Sequence, residues 1–137
     1  MTREPPYTLD ILRLAASLPV TSEVEGADGI GEARSITCGS TLRCSVRIEE
    51  GRVAALGQKV TACAYGQASA ALVQGWAPGR LKAEVIVMRA ALKAWLEGRG
   101  DLPEPFAALA PVQGRSGRHG AVLLPFDALI AAWKGSE

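Results

Sequence analysis

The sequence predicts an α+β domain in which a small three-stranded antiparallel sheet is covered by helices. Two strand-patterned runs between residues 42 and 62 are joined by Glu49-Glu50-Gly51-Arg52. A run of apolar residues at helical spacing follows between 81 and 96. Helical patterns flank the strands at both ends, so the order is helix, sheet, helices, without the strand–helix alternation of a parallel sheet. At 137 residues the chain reads as a single domain, 1–137, and its 48% hydrophobic content is ample for a core.

Residues 7–18 read as a short helix. Thr8 is placed to cap it, Leu9, Leu12 and Ala16 fall at i, i+3 and i+7, and Pro19 ends it. Glu25-Gly26-Ala27-Asp28-Gly29-Ile30-Gly31 then reads as a plain glycine-rich loop. A phosphate cradle needs a strand before it and a helix after it, and neither is indicated. Residues 34–37 are expected to add a short third strand. From 42 to 48 the alternation is regular. Leu42, Cys44, Val46 and Ile48 point to the core, and Arg43, Ser45, Arg47 and Glu49 point to water. Gly51 suits a tight turn, and residues 53–62 return as the partner strand with a bulge expected at Gly57.

Residues 64–73 are small and suit a helix that approaches the sheet closely, and Pro78-Gly79 breaks it. The strongest helical pattern is 81–96, with Leu81, Val85, Met88, Leu92 and Trp95 on one face and Gly98 as the stop. Residues 101–117, rich in proline and glycine, read as a long loop. A last helix covers 121–133, with Leu123, Phe126, Leu129, Ile130 and Trp133 as its apolar stripe. Pro125 is tolerated best in a first turn, which predicts a start near Leu123.

The formal charge of +1 and the absence of a basic block interleaved with aromatics argue against nucleic acid as a partner. No apolar run reaches the ~20 residues that span a bilayer, and the first residues lack a signal peptide's apolar stretch. Three cysteines, an odd number, argue against a disulfide framework and for a reducing, cytoplasmic setting.

Chemistry concentrates at the edges of these elements. Cys63 lies between a strand pattern and a helix pattern, in Thr61-Ala62-Cys63-Ala64-Tyr65-Gly66-Gln67-Ala68-Ser69-Ala70-Ala71. A thiol at a helix start faces unpaired N–H groups and the positive end of the helix dipole, which favour the thiolate that binds metal or attacks sulfur. Cys38 stands on a turn, Thr37-Cys38-Gly39-Ser40, and His119, the only histidine, precedes the last helix. If Cys38 sits where the hairpin begins, the antiparallel return brings Cys63 back to the same end. A C-terminal helix starting beside that end brings His119 near. Two thiolates and an imidazole suit zinc, or iron in a cluster. Cys44 is set apart by strand parity as core. Arg99-Gly100-Asp101 matches a cell-adhesion tripeptide and is read as chance.

At these residues the sequence resembles the U-type iron–sulfur cluster assembly scaffolds, the family of the NifU N-terminal domain, IscU and SufU. Tyr7-Thr8-Leu9-Asp10-Ile11-Leu12 is similar to the family's N-terminal segment, and Cys38-Gly39-Ser40 to its Cys-Gly-Asp turn. Ala62-Cys63-Ala64, leading to Ala68-Ser69-Ala70, is similar to its Gly-Cys-Ala motif and Ala-Ser-Ala helix. The run from His119 to Leu129 resembles the segment of its third cysteine. The resemblance implies a SufE/NifU-like scaffold, not an enzyme, that accepts sulfur from a cysteine desulfurase. It implies zinc, iron or a transient 2Fe–2S cluster as cargo and apo iron–sulfur proteins as clients, with oligomerisation left open. The implied ligands are Cys38, Cys63 and His119.

Two positions depart from the family pattern. Ser40 replaces the aspartate, and Gly120 replaces the third cysteine. The Leu-Pro-Pro-Val-Lys chaperone-docking motif of one branch is absent, Arg115-Ser116-Gly117-Arg118 standing before His119. A 2Fe–2S cluster takes four protein ligands, so this chain is expected to need one from outside. Two other readings stay open: a sulfurtransferase-type accessory using Cys63 or Cys38 as persulfide acceptor, and an interaction module without metal chemistry.

Overall fold

The computed structural model describes residues 8–18, 23–36 and 39–134. The first helix, α1 (Leu9–Ser17), is capped as predicted, the Thr8 hydroxyl accepting the Ile11 N–H at 3.2 Å. Its buried face differs from the prediction. Leu9 and Leu12 are exposed, while Ile11 is fully buried and Leu14 and Leu18 pack beside it. The sequence holds two stripes of the same period, Leu9/Leu12/Ala16 and Ile11/Leu14/Leu18, and packing against the next helix selects the second. Pro19, expected to end the helix, lies outside the described residues.

Three strands form one antiparallel sheet in the order β1 (Gly29–Arg34), β2 (Thr41–Glu49), β3 (Arg52–Thr61). The third strand therefore lies at 29–34, not at 34–37, and takes up the end of the segment read as a loop. Gly29 and Gly31 occupy β1 positions opposite Val46 and Cys44. The β2–β3 turn has Glu50 at φ 52° and Gly51 at φ 74°, the two positive angles of a type I′ hairpin. The bulge is not at Gly57, which pairs in register with Ser45. It falls between Arg47 and Ile48 of β2, where Ala54 is the extra residue of β3. There the free edge of β3 is also held by the chain at 79–81, Val53 N–H donating to Arg80 O and Gly79 N–H to Val53 O.

Leu42, Cys44 and Val46 are buried, as parity predicted. Ser45, predicted to face water, is also buried because residues 23–28 cross that face. Val24 N–H donates to Ser45 Oγ at 2.9 Å, and Asp28 Oδ2 accepts the Ile48 N–H at 2.6 Å. Arg43, beside them, pairs with Glu23 and Glu32.

The helices α2 (Ala64–Trp76) and α4 (His119–Lys134) cover the other face, and α3 (Lys82–Leu96) packs on α4. Gln58 links β3 to α2, its Nε2 donating to Ala70 O at 2.9 Å and to Gln74 Oε1 at 3.0 Å. Val85, Leu92 and Trp95 of α3 are buried and Met88 packs beside them, as predicted, but Leu81 is the helix's N-cap and is exposed; Gly98 follows at φ 80°. Residues 101–117 are more than a loop. They contain 3₁₀ segments at Glu104–Val112 and Ser116–Arg118, and Phe106, Leu109 and Val112 enter the core. The Phe106 ring meets Trp76 and Phe126 at centroid distances of 5.9 and 5.5 Å. The second segment runs straight into α4, so that helix begins at His119 rather than near Leu123 and carries Pro125 in its interior. An Arg89–Asp127 ion pair joins α3 to α4. Among the described residues no helix is long and apolar enough to cross a membrane.

Candidate metal and sulfur site

Thr61 ends β3 opposite Thr41, the first residue of β2. Two residues later Cys63 is the N-cap of α2, with extended backbone (φ −66°, ψ 172°) and no capping hydrogen bond from its side chain. The helix is secured here by other groups. Gln67 N–H donates to Cys63 O at 3.0 Å, and Gln67 Nε2 donates to Ala62 O at 3.2 Å. The thiol of Cys63 is thus half-buried at the core's edge on a fixed backbone, without serving as the cap.

Cys38 lies outside the described residues, but the ends of its loop are described. Ser35 N–H donates to Ser40 O at 2.9 Å, and Gly39 N–H donates to Ser35 O at 2.9 Å with Gly39 at φ 68°. The loop returns to β2 at Thr41, the residue paired with Thr61, so its base shares the sheet end that leads to Cys63. Ser40, at the family's aspartate position, is buried.

His119 opens α4. Its Nε2 lies 3.1 Å from Val112 O and 2.8 Å from Gln113 O, at the end of the long 3₁₀ segment. Carbonyl oxygens only accept, so Nε2 is the donor in these contacts. Backbone oxygens thus hold one ring nitrogen and orient the ring, as the bonds around a metal-binding imidazole do. The starts of α2 and α4 also approach each other. A Cβ on Gly66, one turn beyond Cys63, would stand 3.3 Å from the Ala121 Cβ, two residues beyond His119.

Cys44 does not belong to this end. It is fully buried, and desolvation pushes its thiol from 9.0 up to about 12. Among the described residues no group of three or more histidine, cysteine, aspartate or glutamate side chains is gathered to hold a metal. The described donors are the thiol of Cys63 and Nδ1 of His119, both of the soft-to-borderline kind that zinc and iron accept, so their chemistry fits the expected cargo. Sequence reasoning missed Ser69, whose hydroxyl donates to Val122 O of α4 at 2.7 Å while fully buried. Its signal was a lone serine within Ala68-Ser69-Ala70, where a helix interior facing the core calls for an apolar residue.

No family model and no curated protein matches the chain in sequence. Solved structures match it in fold. The N-terminal domain of a nitrogen-fixing NifU-like protein from Brucella abortus superposes with a TM-score of 0.88 at 27% identity, over 94% of this chain and 92% of that one. A protein from Fervidobacterium islandicum, assigned as an iron–sulfur cluster assembly scaffold for the SUF system, superposes with a TM-score of 0.82 at 20% identity. That match covers 93% of this chain and 96% of the other. The three-stranded α+β fold and the U-type resemblance read from the sequence are both borne out by these neighbours.

Proposed function

We propose that this chain, 1–137, is a single-domain carrier in iron–sulfur cluster assembly. In this reading it holds iron, zinc or a nascent 2Fe–2S cluster as cargo through Cys38, Cys63 and His119, in a reducing cytoplasmic setting. The observation that carries the proposal is the pair Cys63 and His119. Each stands at the start of a helix, the two helices meet one turn in, and each side chain keeps a donor atom clear of the bonds that fix its surroundings. The 27% identity with the NifU-like domain supports it.

Sulfur delivery needs only a thiolate at Cys63. Attack of its sulfur on the outer sulfur of a persulfide carried by a cysteine desulfurase forms a new S–S bond at Cys63. The enzyme's S–S bond breaks, and its cysteine leaves as thiolate. No net oxidation occurs, because the sulfur moves at constant oxidation level. The half-exposed thiol of Cys63, unengaged in capping, favours this step specifically. Two thiolates and one imidazole do not fill the four positions of a 2Fe–2S cluster, so a small thiol, a client protein or a second subunit supplies the remainder.

Anaerobic reconstitution with desulfurase, cysteine and ferrous iron tests the reading. Wild type is expected to bind metal and to carry a trapped persulfide on a peptide containing Cys63 or Cys38, and Cys63→Ala to lose metal. Equal metal content in wild type and Cys63→Ala, with no persulfide on either, sinks the proposal and leaves an interaction module.

A further inference from the structure

Pro125 lies inside α4 and has no N–H to donate to Ala121 O, one turn back. The turn from Ala121 to Pro125 therefore lacks a backbone bond that an ordinary helix makes. This same turn faces α2. A Cβ on Gly66 would lie 3.6 Å from Ala121 O, and Ser69 Oγ donates to Val122 O at 2.7 Å. Gly66 and Ser69 are three residues apart and so lie on one face of α2. Glycine provides the close approach there, and serine provides a donor.

We infer that Ser69 is a positioning residue: its hydroxyl fixes the proline-weakened first turns of α4 against α2 and so sets His119 and position 120 opposite Cys63. The inference rests on the site reading above. Ser69 itself is fully buried, about 1.7 turns along α2 from Cys63, and is not a ligand. Its bond crosses between the helices that carry the two described donors. Alanine there would have the higher helix propensity but would leave the Val122 carbonyl without this donor.

The test compares wild type, Ser69→Ala, Ser69→Thr and Val73→Ala, the last removing buried apolar volume from the same helix without touching the Val122 carbonyl. Cobalt(II) and zinc are titrated against a chromophoric chelator, and amide hydrogen exchange of the metal-free proteins is followed at residues 121–124. Ser69→Ala is expected to weaken both metals about tenfold, the scale seen when an outer-shell support is removed, and to change the cobalt ligand-field bands. Exchange at 121–124 should accelerate on the order of tenfold. Ser69→Thr, which keeps the hydroxyl, should restore the bands, and Val73→Ala should leave them as in wild type. Absence of cobalt binding by wild type would overturn the metal reading, while the exchange comparison would still decide whether Ser69 holds α4. Equal exchange at 121–124 in Ser69→Ala and Val73→Ala overturns the inference.

Discussion

Gly31 of β1 and Ala132 of α4 are so close that a Cβ on the glycine would stand 2.3 Å from the Ala132 nitrogen and 2.4 Å from Ala128 O. Both contacts are backbone, which no rotamer change relieves. Gly31 lies on the core face, opposite Cys44, so α4 rests directly on the strand. Gly31→Ala should therefore push α4 from the sheet and cost about 3 kcal/mol. The intrinsic strand preference of alanine over glycine favours the opposite sign. Urea unfolding decides between them, and a variant as stable as wild type would contradict this packing.

The same glycine shows where sequence reading ends. Gly29-Ile30-Gly31 looked like a loop because glycine usually marks one, and only the packing of α4, from the far end of the chain, explains it as strand. The hairpin, by contrast, was legible. The alternation from Leu42 to Ile48 and the turn glycine Gly51 are local signals, and the alternation placed Cys44 in the core correctly. The burial of α1 was ambiguous because Leu9/Leu12/Ala16 and Ile11/Leu14/Leu18 have equal periods. The segment Glu104–Val112 did carry a signal, since Phe106, Leu109 and Val112 recur every three residues, the period of a 3₁₀ helix. At the site, Cys63 was identifiable as a helix start, whereas His119 was read as preceding the last helix, which in fact begins at it. The bonds from His119 to Val112 O and Gln113 O were not, because backbone carbonyls leave no mark in side-chain chemistry.

Burial of Cys44 predicts an alkaline weakness. Its thiol is held near 12 in the native core, against 9.0 when unburied. As pH rises past about 9 the unfolded chain loses this proton first, so the native state binds more protons and stability falls with pH. The contribution is fully present below the unfolded value and declines through the folded one. Its slope approaches about 1.4 kcal/mol per pH unit for a single group. Cys44→Ala should cost about 1 kcal/mol near neutrality and remove this slope. The stability advantage of wild type over the variant should thus be level below about pH 9 and shrink above it. A level difference throughout would mean that Cys44 is not desolvated.

Thiol accessibility gives an independent check on the two described cysteines. Cys63 is half-buried at a helix start, whereas Cys44 is fully buried in β2, beside Gly31 of β1 in a sheet covered by α4. Brief alkylation of the native protein, read peptide by peptide in a mass spectrometer, should label Cys63 well before Cys44. Labelling of Cys44 should appear only with urea and follow global unfolding. Cys44 modified first under native conditions would reverse both assignments.

Gly120 offers the most direct test of the site. It is half-buried in the first turn of α4, beside His119 and one residue before the Ala121 that faces Gly66. Its backbone is helical, so a side chain there requires no left-handed conformation. Gly120→Cys restores the thiolate that the scaffold pattern places at this position, and should raise zinc affinity and lengthen the life of a reconstituted 2Fe–2S cluster. Thiolate is the preferred ligand for both. The control is the same substitution in a Cys63→Ala background, where the gain should shrink because two remaining donors plus one new thiol no longer close the site. Metal stoichiometry and visible absorption after anaerobic reconstitution would be followed in the single and double variants. A folded Gly120→Cys protein without any gain would mean that position 120 does not face Cys63, and the assignment of His119 as a ligand would fall with it.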